Sequence, residues 1–237
     1  MVDTDYVWYL GDSVFVNSGG FETVLNTLKS APDLCFVNAY VVDRKSQHLK
    51  PEQMREFLMD RTWYLTLSGA TIYGRKSRAL SVSETRKKQW KNFPQLGFVL
   101  EYCSVYSAHC EWLGKRILEV NKNKKSYWEQ EALRVFVRDW SALIRSFPQL
   151  FSEIEANSVI RSHSERMGLF GPWGLIRLRA LNVLNFQVLS EFGPDFAIAS
   201  GHSAWASFLC CIPPRACRLC VSGVRMLKKM LVAKHSG

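Results

Sequence analysis

The stretch DYVWYLGDSVFVNSGGFETVLNTL, residues 5–28, decides how the rest of the chain is read. Tyr6, Val7, Trp8, Tyr9 and Leu10 form a bulky run of the kind that fits a pleated, half-buried surface, and they predict a strand. The run stops at Gly11-Asp12-Ser13 and resumes as a helix after Ser18-Gly19-Gly20. Phe21, Val24, Leu25 and Leu28 then fall at i, i+3, i+4 and i+7, one face of that helix. Ser18 is placed to accept from the free amides of the first turn, and Pro32 blocks continuation past Lys29. Asp12 would thus stand at a strand end, where loops expose polar groups on a rigid scaffold. A loop aspartate also commonly does no more than cap a turn.

On these residues the run YVWYLGDSVFVNSGGFETVL resembles the central segment of family 2 glycosyltransferases with the GT-A fold, the kind that builds bacterial O-antigens and capsules. In that family a strand, a Gly-Asp-Asp-Asp turn, a short loop and a Gly-x-hydrophobic-Glu-x-Val-Leu helix carry a metal-binding Asp-x-Asp motif. Gly11, Asp12, Gly19, Glu22, Val24 and Leu25 match in register, whereas Ser13 and Val14 stand where the family has Asp. The resemblance implies an α/β fold: a partial GT-A-like (Rossmann-like) sheet over residues 1–145, then a helical C-terminal extension over 146–237. It implies transfer of a sugar from a nucleotide sugar to a polysaccharide or lipid-linked acceptor in cell-envelope glycan synthesis.

The same resemblance implies Mg2+ or Mn2+ held at Asp12 and Ser13. Such ions take hard oxygen ligands, normally one or two carboxylates plus substrate phosphates. Val14 offers no oxygen, so the implied centre is weaker than the family's, metal-free or inactive. Ser68 and Gly69 fall in the stretch that lines the acceptor side of the cleft in the family, although a glycine there also reads as a simple bend. Inverting members place a general base near the start of a helix in the region of Phe93-Pro94-Gln95-Leu96. Gln95 cannot accept a proton usefully and Glu101 can, though Glu101 also reads as a residue facing water. Asn123, Ser126 and Trp128 loosely resemble the segment after that helix. The match begins almost at Met1, where the family has a preceding βαβ region. The expectation is therefore a fragment, a chain that needs a partner, or a degenerate, non-catalytic relative acting as a binding or membrane-associated protein.

Composition frames these readings. A chain of 237 residues with 47% hydrophobic and 22% charged residues buries a real core in one large domain or two small ones. A formal net charge of +10, from 31 Lys and Arg against 21 Asp and Glu, favours anionic partners. Nucleotide diphosphates and acidic lipids fit that charge. Nucleic acid is not expected, since no recognised binding motif accompanies it. Seven cysteines make an odd count, and MVDTDY lacks a signal-peptide pattern, so reduced thiols and a cytoplasmic location, peripheral to the membrane at most, are expected. No window of uninterrupted apolar residues is long enough to span a bilayer.

Along the chain, Leu34–Val42 predicts a buried strand, followed by an Asp43–Ser46 turn. Pro51 suits a helix first position, with Met54, Phe57 and Leu58 buried. Thr62–Tyr73 is rich in strand formers, and the cationic run Arg75–Lys91 reads as a solvated loop. Pro94 and Pro148 each read as a helix start, the first with Leu96, Val99, Leu100 and Cys103 on one face. Arg116–Val120 predicts a short strand, Asn121–Lys125 a turn, and Ser126-x-x-Glu129 a capping box. Beyond Phe151 the pattern is helical, with one helix from Pro172 that includes Leu184 and Leu189, a segment from Pro194, and a last helix after Pro213-Pro214.

That last helix, Arg215–Lys234, gathers Leu219, Gly223, Val224, Met226, Leu227, Met230 and Leu231 on one arc and Arg215, Arg218, Arg225, Lys228 and Lys229 on the other. A basic amphipathic helix fits either packing on its own domain or lying on an anionic membrane. Cys217-x-x-Cys220 has metal spacing without a second knuckle, so the cysteines read as small hydrophobes. The histidines form no HExxH pair, and Gly-x-Ser-x-Gly, P-loop and Gly-x-Gly-x-x-Gly patterns are absent.

Overall fold

The computed structural model describes residues 3–12, 14–39, 44–120 and 129–234, in two compact units: residues 1–125 with 142–159, and 126–141 with 160–237. Ser13, Tyr40–Val42, Asp43, the Asn121–Lys125 turn, Ser126 and Trp128 lie outside the described residues.

The first unit is mixed α/β. Its elements run β1 Tyr6–Trp8, β2 Val14–Val16, α1 Gly20–Leu28, β3 Leu34–Val37, β4 Gln47–Leu49, α2 Pro51–Arg61, β5 Thr71–Gly74, α3 Arg75–Arg78, α4 Glu84–Gln89, α5 Pro94–Val105, β6 Cys110–Leu113 and β7 Leu118–Val120. Five strands form one sheet in the order β1-β5-β3-β6-β4, and β2 pairs with β7 in a separate ribbon. Strand β3 is parallel to β6 and antiparallel to β5, while β1 and β4 pair antiparallel at the two edges.

All four residues of β3 are fully buried, as its apolar run predicts. Phe36 stacks on Phe57 of α2 with ring centroids 5.0 Å apart, and Trp112 of β6 closes against Phe57 and Tyr64. The Tyr64 hydroxyl donates to the Val37 carbonyl. Asn38, buried just past β3, donates through Nδ2 to the Gly114 carbonyl at 2.6 Å and, through its backbone, pairs with Leu113 and Ile117. Buried polar groups need such partners.

Several local expectations give way to tertiary context. Helix α1 starts from Gly19 in the left-handed region (φ 75°) with no side-chain cap, so Ser18 does not cap it. Of its apolar face only Val24 is buried, and Phe21 and Leu25 are exposed. Thr62–Tyr73 is not one strand-rich stretch: Thr62 ends α2, Tyr64–Thr66 is a 3₁₀ turn, and the strand starts at Thr71. The cationic run is largely helical, as α3 and α4, with Ser83 accepting from the Arg86 amide as the cap of α4. Pro94 does begin α5, which buries Leu96, Val99 and Leu100. Pro148 begins no helix; the next one starts at Glu153.

The second unit is helical. A π-helical segment Arg134–Asp139 leads into α6 Trp140–Arg145, and α7 Glu153–Met167, α8 Pro172–Ala180, α9 Phe186–Ser200, α10 Ser203–Cys211 and α11 Pro214–Lys234 complete the chain; parts of α6 and α7 belong to the first unit. Pro172 and Pro214 stand at helix starts as expected, but α8 stops at Ala180, before Leu184 and Leu189. Helix α9 is broken at Gly193, whose φ/ψ is non-helical, so a new segment begins at Pro194 as expected. The buried Arg179 guanidinium donates to the carbonyls of Ile212, Leu184 and Cys210 at 2.8, 2.9 and 3.1 Å, tying α8 to the end of α10. Helix α11 packs on α8 around the buried Cys217. Leu219, Met226 and Leu227, part of the apolar arc, are exposed. Among the described residues no helix is long and apolar enough to cross a membrane.

His163 is buried, stacked on Phe136 at 4.7 Å and against Trp140 at 5.2 Å. Burial pushes its pKa down to about 4. The folded imidazole is therefore neutral, while the unfolded one protonates near pH 6.5. This contribution is intact above the unfolded pKa and drains as pH falls from about 6.5 to about 4, by about 3 kcal/mol. Urea unfolding between pH 7.5 and 4 should show that loss in wild type and a flatter profile in His163→Phe.

Candidate functional site

Strand β1 feeds the Gly11-Asp12 turn, which the Val14 amide closes by donating to the Gly11 carbonyl at 3.0 Å. Asp12 is exposed on that turn. The chain then enters β2, where Val14 is buried and offers no oxygen. Ser68 and Gly69 sit against this turn. A Cβ placed on Gly11 would lie 3.3 Å from Ser68 Cβ, and Trp8 Nε1 donates to the Gly69 carbonyl at 2.8 Å. Gly69 adopts φ +94°, a region L side chains avoid, and a Cβ there would come within 3.1 Å of Leu10 Cδ2.

The register shows which end of the sheet this is. Trp8 pairs with Ile72 and Phe36 with Thr71, so the start of β5 lies beside the carboxyl ends of both β1 and β3. Asp12, Ser68 and Gly69 are therefore gathered at that one end, from positions more than fifty residues apart in sequence.

Glu101 stands elsewhere on α5. Its carboxylate accepts from Arg86 Nε at 2.9 Å; Arg86 also donates to the Ser146 carbonyl and lies 4.5 Å over the Phe147 ring. On α5 Gln95 is tied to the segment just before Ser68–Gly69, its Nε2 donating to the Thr66 carbonyl at 3.2 Å. Glu101 is six residues on, roughly 9 Å further along the helix axis. Two shallow cavities of the first unit lie along α2, one lined by Arg55, Asp60 and Glu155 among others, the other closed by Cys103–Ala108 at the end of α5. None of Asp12, Ser68, Gly69 or Glu101 lines either.

Comparison with family models, with curated proteins and with solved structures returned no match.

A second convergence, missed in the sequence, joins His48, His109 and Glu111. His48 Nδ1 lies 3.3 Å from Glu111 Oε1 and His109 Nε2 lies 3.8 Å from the same oxygen, which also accepts from Ser30 Oγ at 3.1 Å. A search for paired histidines on one helix could not find it, because the strand register supplies the neighbour. Its one local signal is His109-x-Glu111, an i, i+2 pair that shares a face when the segment is extended.

The Arg86–Glu101 pair gives the site region a measurable element. Both side chains are less than a quarter exposed, and the bond is charge-assisted. A double-mutant cycle with Arg86→Ala and Glu101→Gln should give a coupling of about 1 kcal/mol in unfolding free energy.

Proposed function

We propose that this chain is a GT-A-type glycosyl-transfer protein whose donor end is the Gly11-Asp12 turn. The observation that carries the reading is the meeting of that turn with Ser68-Gly69 at the carboxyl end of β1. Open sheets bind ligands outside the carboxyl ends of their strands, and the likeness of residues 6–25 to family 2 glycosyltransferases puts the nucleotide diphosphate there. Asp12 brings one carboxylate and Val14 brings nothing, so this donor set fits a hard divalent ion at the lower limit of one carboxylate with phosphate oxygens and water. Mg2+ or Mn2+ bound there would offset the charge that develops on the departing diphosphate. Ser68 and Gly69 would border the acceptor, a glycan or a lipid-linked sugar. Glu101 would take the acceptor hydroxyl's proton only after release from Arg86.

A second reading, a non-catalytic relative that binds without transfer, is favoured by the burial of Val14 and the engagement of Glu101 with Arg86. Nucleotide-sugar binding and turnover with Mn2+ separate the two. Transfer or donor hydrolysis in wild type, reduced by about 100-fold in Asp12→Asn, supports catalysis; binding without turnover supports the second reading.

For the acceptor we propose an anionic lipid surface as the place of work. Leu219, Cys220, Met226 and Leu227 are exposed on α11, and Pro214–Lys234 carries Arg215, Arg218, Arg225, Lys228, Lys229 and Lys234 without one acidic residue. Apolar insertion and basic charge act together in such binding. Wild type should sediment with phosphatidylglycerol vesicles and not with neutral phosphatidylcholine, and Leu219→Ser with Met226→Ser should weaken that binding at least about tenfold.

A further inference from the structure

His48, His109 and Glu111 stand on one face of the sheet at the end remote from Asp12. His48 in β4 is the direct antiparallel partner of Glu111 in β6, and His109 precedes Glu111 by two residues. Side chains two apart along an extended segment share a face, and directly opposed cross-strand residues have Cβ atoms about 5 Å apart. On the opposite face Leu49, Cys110 and Trp112 are buried, and Gln47, on the edge strand, is exposed. On the outward face Glu111 Oε1 is the hub. It lies 3.3 Å from His48 Nδ1 and 3.8 Å from His109 Nε2, and each of the three residues has a ligand atom within 4.8 Å of the others'. The imidazole rings meet edge to face at 4.8 Å between centroids.

We propose that these three side chains form a binding site for a divalent transition-metal ion of the zinc class. Two imidazoles and one carboxylate are a recurrent zinc ligand set, and imidazole nitrogen selects zinc, nickel or copper over magnesium or calcium. The spacing agrees. Bonds of about 2.0–2.1 Å in tetrahedral geometry put ligand atoms about 3.3–3.4 Å apart. The His48–Glu111 separation already equals that edge, and the His109–Glu111 separation exceeds it by a few tenths of an ångström. The third edge, between the two imidazole nitrogens, lies within 4.8 Å and closes as the rings rotate toward each other on binding. Ser30, just past α1, donates to the same carboxylate oxygen and orients it, as outer partners of metal ligands do. With His48 exposed, a fourth position opens to solvent, available to water or to a further ligand. The site is separate from the Asp12 turn: Asp12 follows the carboxyl end of β1, whereas His109 precedes the amino end of β6, which runs parallel to β3.

Titration of the purified chain with Zn2+ by calorimetry, and with Co2+ by visible absorption, tests the proposal. Wild type should bind one ion whose Co2+ spectrum shows nitrogen and oxygen ligands without thiolate charge-transfer bands. His48→Ala and His109→Ala should each weaken that binding at least about tenfold, and the double variant should abolish it. The stabilisation that Zn2+ gives to thermal unfolding should vanish in parallel. Glu111→Gln, which keeps the side chain's size and its bond from Ser30, serves if the alanine pair fails to fold and should also weaken binding. Unchanged affinity in these variants, or thiolate bands from the seven free cysteines as the only signal, would overturn the assignment. Neither outcome depends on whether the chain transfers sugars.

Discussion

The first unit is arranged around the obligation of β3 to satisfy its backbone without water. Leu34, Cys35, Phe36 and Val37 are fully buried, and a buried N–H or C=O left unpaired costs as much as a lost hydrogen bond. The strand therefore needs neighbours on both sides, β5 running against it and β6 running with it. Because the two neighbours run in opposite directions, the ends of β3 collect different things. Its carboxyl end lies beside the start of β5, hence Ser68, Gly69 and the turn carrying Asp12. Its amino end lies beside the start of β6, hence His109 and Glu111. At roughly 3.3 Å per residue, a four-residue strand holds the two groups about 10 Å apart along its axis, on a sheet too well packed for them to drift together.

How much of this was legible depends on which force dominates each segment. Of the strand expected over Leu34–Val42, β3 takes Leu34–Val37 and ends before Asn38; that start, α2 and α5 were legible because a dense apolar run or a proline at the first helical position leaves few alternatives. Thr62–Tyr73 misread because aromatic and threonine residues describe a half-buried surface and not a strand as such; here Thr62, Tyr64 and Leu65 meet the core from a helix end and a 3₁₀ turn. Arg75–Lys91 has almost no apolar period to reveal α3 and α4, and its helicity comes from local caps such as Ser83. Pro148 shows the limit of proline as a signal, since it sits in a turn and starts no helix, whereas Pro194 does begin a new segment after the break at Gly193. The proximity of Asp12 to Ser68-Gly69 came from likeness to a family and not from spacing. The meeting of His48 with Glu111 had no counterpart in the sequence, because it follows from the register of two strands joined by sixty residues of other structure.

Several acidic residues are engaged by arginines that join distant parts of the chain. Arg55 pairs with Glu155 while also donating to the Leu150 carbonyl, Arg138 pairs with Glu191, and Arg177 pairs with Glu129. Each joins elements far apart in sequence, and in each the cation is arginine. A planar fork of five donors can serve a carboxylate, a carbonyl and an aromatic face at once, as Arg86 does with Glu101, Ser146 and Phe147. The acids so held are fewer than the cations, and the surplus of +10 remains for the outside of the molecule. That surplus is dense on α11, where no acid is present to compensate it.

The two polar clusters of the sheet ask for different ions, and this separates their chemistry more sharply than distance does. The Asp12 turn would offer hard oxygen, the Asp12 carboxylate foremost, suited to an ion that keeps most of its water and takes the rest from phosphate. His48, His109 and Glu111 offer two imidazoles and one oxygen, a set that magnesium does not seek and zinc does. On the two proposals above, an ion would cross from one role to the other only at a cost in ligand preference, so Mg2+ and Zn2+ would act as independent probes of the two ends of β3. Manganese is the exception, since it accepts both oxygen and imidazole. An effect of Mn2+ on this chain therefore carries no address until the same measurement is repeated with Mg2+, which the histidine cluster should ignore.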